Sequence, residues 1–152
     1  MSQENVEIVR RYVEALEKAI AVYWSDPRPG AAAMDKGELR PENREVFRYL
    51  DPDVEWNTAF AGVSFRGHLG IAQGWDWLSE AAEHYTVTLK AISTLPDDRV
   101  LAVVDCTLKA KDSGIEITAQ VFWIATVRDG VITRMDEYNS RTEALEAEGL
   151  AE

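Results

Sequence analysis

The sequence is poor in cysteine and histidine, and this scarcity limits the chemistry open to it. Cys106 is the single cysteine, so an internal disulfide is impossible, and its place in an apolar strand-like segment is typical of a small buried side chain. The two histidines, His68 and His84, lie far apart, whereas zinc and iron sites use closely spaced ligands. No glycine-rich phosphate loop follows a strand. We therefore expect no metal and no cofactor.

Positive charge and long apolar runs are also lacking. The chain has 16 basic and 27 acidic residues, a net charge of -11, which would repel phosphate backbones and anionic membrane surfaces. No stretch approaches the roughly 20 apolar residues of a membrane span. Residues 1–5 provide neither the basic start nor the apolar run of a signal peptide. We expect a cytoplasmic protein that binds neither nucleic acid nor membrane.

The apolar residues that are present suffice for one core. A chain of 152 residues with 46% hydrophobic content fits a single domain spanning residues 1–152. Apolar residues at three- and four-residue steps predict a first helix, and its buried face carries Val6, Val9, Val13, Leu16 and Ile20, with Tyr12 beside them. Short helices are also predicted from Pro41 and from about Leu69 to His84. The stretch between the first two helices, residues 25–40, is predicted to be a loop insertion.

The second half of the sequence has the pattern of a strand-rich sheet. A short strand at 54–57 follows a turn at 51–53, and strand-like runs occupy 85–95, 99–111, 115–127 and 131–139. The turn sequences at 96–98, 112–114 and 128–130 are typical of hairpins. A last helix is expected to end at Gly149. Consecutive hairpins with helices before them predict an α+β fold, with the helices covering one face of a curved sheet.

Both faces of the two central strands are partly apolar. In the run 115–127, one face carries Trp123 and the other carries Phe122 and Ile124, although a face in contact with water alone would be mainly polar. The neighbouring run likewise sets Val104 against Val103. We predict that one face lines the interior and that the outer sheet face meets a second subunit, which makes the protein a homodimer.

Several short segments, in their order and spacing, resemble one known family. They are MSQENVE at 1–7, DPDVEW at 51–56, RGH at 66–68, RDG at 128–130 and EALEA at 143–147, followed by Gly149 and Leu150. The chain resembles the SnoaL-like polyketide cyclase family within the nuclear transport factor 2 and ketosteroid isomerase superfamily. The resemblance spans nearly the whole chain and implies a cone-shaped, curved, mainly antiparallel (mixed) sheet wrapped around the N-terminal helices, enclosing one apolar pocket. Such a fold does not fix the activity.

Asp105 is the first candidate for acid/base chemistry. It lies within the apolar run 100–106, where burial would raise its pKa toward a useful range; the alternative is a solvated residue on an exposed face. The resemblance implies that Asp105 matches the central-strand aspartate of epoxide hydrolase-like members. Those members have an arginine two residues earlier, where this chain has Val103.

Glu137 and Asn57 complete the candidate catalytic set. Glu137 and Asp136 point to opposite faces of the last strand, and the residues alone leave open which one faces inward. The resemblance favours Glu137, because cyclase and epoxide hydrolase members carry a pocket carboxylate there. Cyclases carry a histidine on the preceding strand, and Trp123 occupies the matching position here. Asn57 matches a water-holding asparagine of the epoxide hydrolase-like members and could orient a water or a carbonyl.

These residues lead to one preferred function and two alternatives. We expect a cofactor-independent acid/base enzyme of isomerase, cyclase, dehydratase or hydrolase type, acting on a small hydrophobic molecule. The alternatives are a non-catalytic carrier of such a molecule and a dimerisation module that fills its own cavity. His68 is a weaker catalytic candidate, since Arg-Gly-His here resembles a structural turn. The expected pocket residues are Glu55, Trp75, Val103, Ala119, Val121, Trp123, Met135 and Tyr138.

Overall fold

The computed structural model describes residues 2–25, 30–59 and 62–150, which form five helices and six strands. The helices are α1 (Ser2–Ser25), α2 (Gly30–Asp35), α3 (Pro41–Phe47), α4 (Gly67–Ala81) and α5 (Arg141–Ala147). The strands are β1 (Leu50–Asn57), β2 (Ser64–Arg66), β3 (Ala82–Leu95), β4 (Arg99–Ala110), β5 (Glu116–Arg128) and β6 (Val131–Tyr138). None of the described helices is long and apolar enough to cross a bilayer.

All six strands form one curved, unclosed sheet in the order β2-β1-β6-β5-β4-β3. Neighbouring strands are antiparallel except for β1 and β6, which are parallel. Asp97, Asp98 and Asp129 have positive φ angles of 61°, 60° and 51°, and tight hairpin turns need such angles. The predicted mixed α+β cone with its chain of hairpins is confirmed.

Helix α1 supplies one wall of the core. It packs mainly against β3 and α3, and also against β4, and the apolar face predicted from its spacing is the buried one. Val9 and Val13 have no exposed surface, and they meet Val100 and Val104 of β4 in one continuous cluster. The inner face of the sheet is therefore the face that carries Val104 and Trp123, and the other face points away from α1.

The insertion at 25–40 was predicted to be a loop. This is wrong for residues 30–35, which form α2. Helix α1 ends at Ser25 as expected, and Pro27 and Pro29 lie outside the described residues. The carboxylate of Asp76 in α4 accepts hydrogen bonds from the backbone amides of Gly30 at 2.6 Å and Ala31 at 3.0 Å. These two bonds satisfy amides that a helix start leaves unpaired, so a distant residue stabilises a helix that local sequence hardly indicates.

The predicted turn at 51–53 is also wrong, because these residues belong to β1. The pairing of β1 with β6 shifts register between Leu50 and Glu55. Pro52 lies within this irregularity, where its missing N–H removes no bond from a regular ladder. The strand therefore continues through a proline that predicts a break.

Helix α5 covers part of the outer sheet face. Ala144 packs in one buried cluster with Leu101, Val103 and Ile124. The helix ends as predicted, with Gly149 at a φ of 70° and the Leu150 amide donating to the Leu145 carbonyl at 2.7 Å. The apolar outer residues that suggested a second subunit are therefore covered by the same chain. The dimer loses that argument and stays a prediction.

Candidate active site

The helices and the inner sheet face enclose a narrow cavity of about 40 Å³, which has room for a few water molecules. Its wall is strongly aromatic. The aromatic side chains that line it are Tyr12, Tyr23, Trp24, Trp56, Trp75, Tyr85 and Trp123. Phenol and indole rings present apolar faces together with one polar atom each, so the cavity can hold an apolar molecule and still hydrogen-bond to it.

Helix α1 contributes much of this wall, and the residue-by-residue prediction missed it. Tyr12, Leu16, Ile20 and Tyr23 recur at three- and four-residue steps on one helix face and all line the cavity. The sequence predicts the apolar face of α1 as a buried core face, and the structure shows that part of it also lines the cavity. Two tyrosines on a buried helix face were the available signal, because a buried hydroxyl needs a polar partner or a cavity.

Glu137 is the carboxylate that lines the cavity. It lies on β6 directly opposite Trp123 of β5, and its Oε1 accepts a hydrogen bond from the Ala59 amide at 3.3 Å. The Glu137 side chain is only partly exposed, and protein surrounds its carboxyl group on most sides. Glu137 and not Asp136 is thus the inward carboxylate of the last strand.

Burial raises the pKa of Glu137 to about 7. The Trp56 indole, the Ala59 amide and the Trp123 indole act in the opposite direction, because N–H groups stabilise the charged carboxylate. The Trp123 N–H is buried without a hydrogen-bond partner in the described part of the chain, so we attribute its effect to proximity and not to a formed bond. A carboxyl group with this pKa is present in both protonation states near neutral pH.

Three neutral donors surround this carboxylate. Burial raises the pKa of Tyr12 and of Tyr85 well above the usual value for tyrosine, and the nearby Glu137 adds to both shifts. Burial also raises the pKa of Cys106 to about 11, and the Tyr85 hydroxyl donates to its Sγ at 3.7 Å. All three groups therefore keep their protons at neutral pH, and Tyr12 and Tyr85, which line the cavity, can donate hydrogen bonds to a bound molecule.

The prediction that Asp105 shares the pocket is wrong. Asp105 lies on the outer face of β4, where its carboxylate is 3.7 Å from Lys90 Nζ and 3.4 Å from Gln120 Nε2. The apolar residues on its strand face, Leu101 and Val103, are apolar because α5 covers them. Their apolar character is thus explained by a helix packed on the outer face and not by the cavity.

Asn57 also faces away from the cavity, contrary to prediction. Its Nδ2 donates to Asp136 at 2.7 Å, and its Oδ1 accepts from Ser64 at 2.7 Å. Asp136 is buried on the outer face and pairs with Arg134 Nε at 2.9 Å. The amide of Asn57 therefore closes a structural network and does not position a reactive oxygen beside Glu137.

The other predicted pocket residues divide between the two faces. Trp75, Trp123 and Met135 line the cavity. Five predicted residues do not line it. Glu55 is 3.7 Å from Arg66, and Val103 and Tyr138 pack beside α5. The remaining two are Ala119 and Val121. Ala119 and Val121 lie on the inner face of β5, like Trp123, but they do not line the cavity.

His68 has a structural role. Its Nε2 is 2.9 Å from the Leu50 carbonyl oxygen, and its ring packs 5.1 Å from that of Phe47, centroid to centroid. These contacts fix the start of α4 against β1. Within the ranges that the structure describes, no group of three or more histidine, cysteine, aspartate or glutamate side chains could hold a metal ion.

A curved sheet closed by helices around an aromatic cavity, with Glu137 pointing inward, defines a cone-shaped α+β domain. The family model of the SnoaL-like domain matches residues 31–135, and the chain belongs to that family. This confirms the family resemblance of the sequence motifs. No curated protein matches this sequence.

Solved structures share the fold at low sequence identity. A putative SnoaL-like polyketide cyclase from Jannaschia sp. CCS1 is 15% identical with a TM-score of 0.64, covering 96% of this chain and 92% of that one. An NTF2-like protein from Burkholderia xenovorans LB400 is 22% identical with a TM-score of 0.61, covering 91% and 90%. A ketosteroid isomerase-like protein from Catenulispora acidiphila DSM 44928, solved with trimethylamine, is 16% identical with a TM-score of 0.63, covering 95% and 94%.

Proposed function

We propose that this protein is a cofactor-independent acid/base enzyme that moves a proton on a small, mainly apolar molecule, with Glu137 as the single proton carrier. The observation that carries the proposal is the placement of one carboxyl group in an aromatic cavity, beside the neutral hydroxyls of Tyr12 and Tyr85. The predicted exchange of protons between Asp105 and Glu137 is not part of it, because the two side chains lie on opposite faces of the sheet.

The chemistry that suits this arrangement is proton transfer next to a carbonyl group. The Glu137 carboxylate would remove a proton from the carbon beside the carbonyl, and the electron pair of the broken C–H bond would form an enolate. The Tyr12 or Tyr85 hydroxyl would donate a hydrogen bond to the enolate oxygen. The protonated Glu137 would then return the proton to the same or a conjugated carbon. One residue can act as both base and acid because its pKa is about 7.

Hydrogen exchange on carbon tests the proposal without knowledge of the natural substrate. A panel of small enolisable ketones in D₂O, followed by NMR, should show protein-dependent deuterium uptake that Glu137→Gln lowers by about 10²-fold or more. Tyr12→Phe should lower it less, because a second hydroxyl lies nearby. Uptake should rise with pH through about 7 and then level off as Glu137 becomes fully ionised.

Asp105→Asn is the matched control, because it removes a carboxylate of the same sheet on the opposite face. Uptake by Asp105→Asn should equal that of the native protein. Equal uptake by the native protein and Glu137→Gln would rule out Glu137 as the proton carrier. The remaining candidate would then be a carrier protein, which the aromatic lining and the inward carboxylate of the cavity favour over a filled scaffold.

The homodimer and its surface remain proposals. The part of the outer face that α5 leaves open is polar and carries Asp105, Gln120 and the Thr107–Thr118 pair. Ile115 and Ile117 at the β4–β5 hairpin are 60% and 56% exposed, and Ile117 continues the inner-face register of Ala119 and Val121. These exposed aliphatic residues support an association surface at the hairpin end of the sheet and not on its outer face. Light scattering of the native protein and of Ile117→Lys should show a dimer that the substitution weakens.

A further inference from the structure

We propose that the cavity is the inner half of a longer binding site, whose outer half is the groove between α1 and β3, and that the site takes an elongated apolar molecule with a cationic end. This inference deepens the proposed function, since it names the ligand class of the same pocket. It concerns binding alone and does not require Glu137 to transfer a proton.

The first observation is a mismatch of size. Sites for small organic molecules usually measure about 300–1,000 Å³, whereas the cavity beside Glu137 has about 40 Å³. The groove just outside has about 500 Å³. The groove alone has the volume of a ligand site but is open to solvent, whereas the cavity alone is too small for an organic molecule. Joined, they match the size of an organic ligand.

The second observation is that the two spaces share a wall. Ile20, Trp24 and Tyr85 line both the cavity and the groove. The Trp24 and Tyr85 rings lie 5.6 Å apart, centroid to centroid, at 40°. Because the same three side chains line both spaces, rotation of those side chains is the movement that would join them.

Few polar contacts hold this wall in place. The Trp24 indole donates one hydrogen bond, to the Ala82 carbonyl at 3.1 Å. The Tyr85 hydroxyl donates one to the Cys106 sulfur at 3.7 Å, and thiols are weak acceptors. A polar ligand atom that enters the cavity could replace the second bond, so opening the wall sacrifices few hydrogen bonds.

The acidic residues of the groove determine which charge is preferred at the end of the ligand that lies in the groove. Glu17 lines the groove and accepts one hydrogen bond, from the Leu89 amide at 3.2 Å, and no described cation lies within salt-bridge distance of it. Glu83 is paired with Lys109 at 3.8 Å. The net charge of -11 adds a negative field, and the Trp24 ring face offers a further contact for a cation. A cationic end group is therefore favoured over an anionic one.

Three probes with the same alkyl chain test the charge preference. Decylammonium, decanol and decanoate, each kept below its aggregation concentration, should bind the native protein in that order of falling affinity, as measured by calorimetry. Glu17→Gln should lower the affinity for decylammonium about fivefold, as expected for one partly exposed ion pair, and leave decanol unchanged. Glu14→Gln removes the same charge from an exposed position one turn away and should change neither.

A second pair of variants tests the shared wall. Trp24→Ala should speed the association of decanol about tenfold in stopped-flow measurements, whereas Trp77→Ala, which removes a 44% exposed indole outside both spaces, should not. Tyr85→Phe loses only the bond to Cys106 and should give a smaller increase, so the test survives if Trp24→Ala fails to fold.

Equal affinities for the three probes, or equal effects of Glu17→Gln and Glu14→Gln, would overturn the charge assignment. Association rates unchanged in both Trp24→Ala and Tyr85→Phe would overturn the joined site. Glu137→Gln separates this inference from the proposed function, because it should abolish deuterium uptake into ketones while leaving the order of the three probes intact.

Discussion

Glu137 should make the protein less stable as the pH rises through neutrality. Its pKa is about 7 in the folded state, against 4.5 for an unperturbed side chain. A raised folded pKa means that the folded state binds more protons than the unfolded state between these values. The stabilisation is thus complete below pH 4.5 and is lost as the pH rises through 7.

The size of the effect follows from the two pKa values. A difference of one unit corresponds to about 1.4 kcal/mol, so the titration of Glu137 alone should remove about 2 to 3 kcal/mol of unfolding free energy between pH 5 and pH 9. Glu137→Gln keeps the shape and still accepts from the Ala59 amide, but it cannot titrate. The native protein should therefore lose more stability than Glu137→Gln over this pH range.

Urea unfolding followed by tryptophan fluorescence at several pH values measures this difference. Other groups, such as Glu148, titrate in both proteins and cancel when the two curves are subtracted. Any constant cost of the amide among the indole donors shifts the curve without changing its slope. A difference curve that is flat from pH 5 to pH 9 would show that Glu137 is not a buried, raised carboxyl, and the acid/base reasoning would fall with it.

Three further outcomes are expected from the packing. Gly74→Ala should cost about 1–3 kcal/mol of stability in thermal unfolding, because the added Cβ would lie 2.7 Å from the Trp56 ring. The control Gln73→Ala, on the exposed side of α4, should cost under about 0.5 kcal/mol. Asp76→Ala should lose about as much stability as Gly74→Ala, because it leaves the first amides of α2 unpaired. Burial first and Asp136 second raise the pKa of Glu148 to about 7, so Asp136→Asn should lower that pKa in carboxyl NMR.

The fold was readable from the sequence wherever one local pattern decided the outcome. The spacing of Val9 and Val13 predicted the buried face of α1, and the turn sequences at 96–98 and 128–130 predicted the hairpins. The failures occurred where a distant residue decided. Helix α2 depends on Asp76, some 45 residues away along the chain, and no local pattern reports such a contact.

The site was less predictable, because it depends on which face of each strand points inward. Alternation identifies two faces but not their surroundings, and both faces of β4 and β5 are apolar since α1 covers one and α5 the other. Asp105 was assigned to the wrong face for that reason. Glu137 was assigned through the family resemblance, since the residues of β6 alone did not separate it from Asp136.

A site with a single inward carboxylate constrains the chemistry more than the expected pair would have done. Two coupled carboxylates can divide the roles of acid and base by driving their pKa values apart. In the proposed reaction one carboxylate takes and returns the same proton, so its pKa has to lie near the working pH, and burial in the aromatic cavity raises the pKa of Glu137 to about 7. Among the described residues that line the cavity, no second carboxylate stands beside Glu137 to activate a water molecule. Transfer of a proton between two positions of one molecule is therefore better suited to this pocket than hydrolysis.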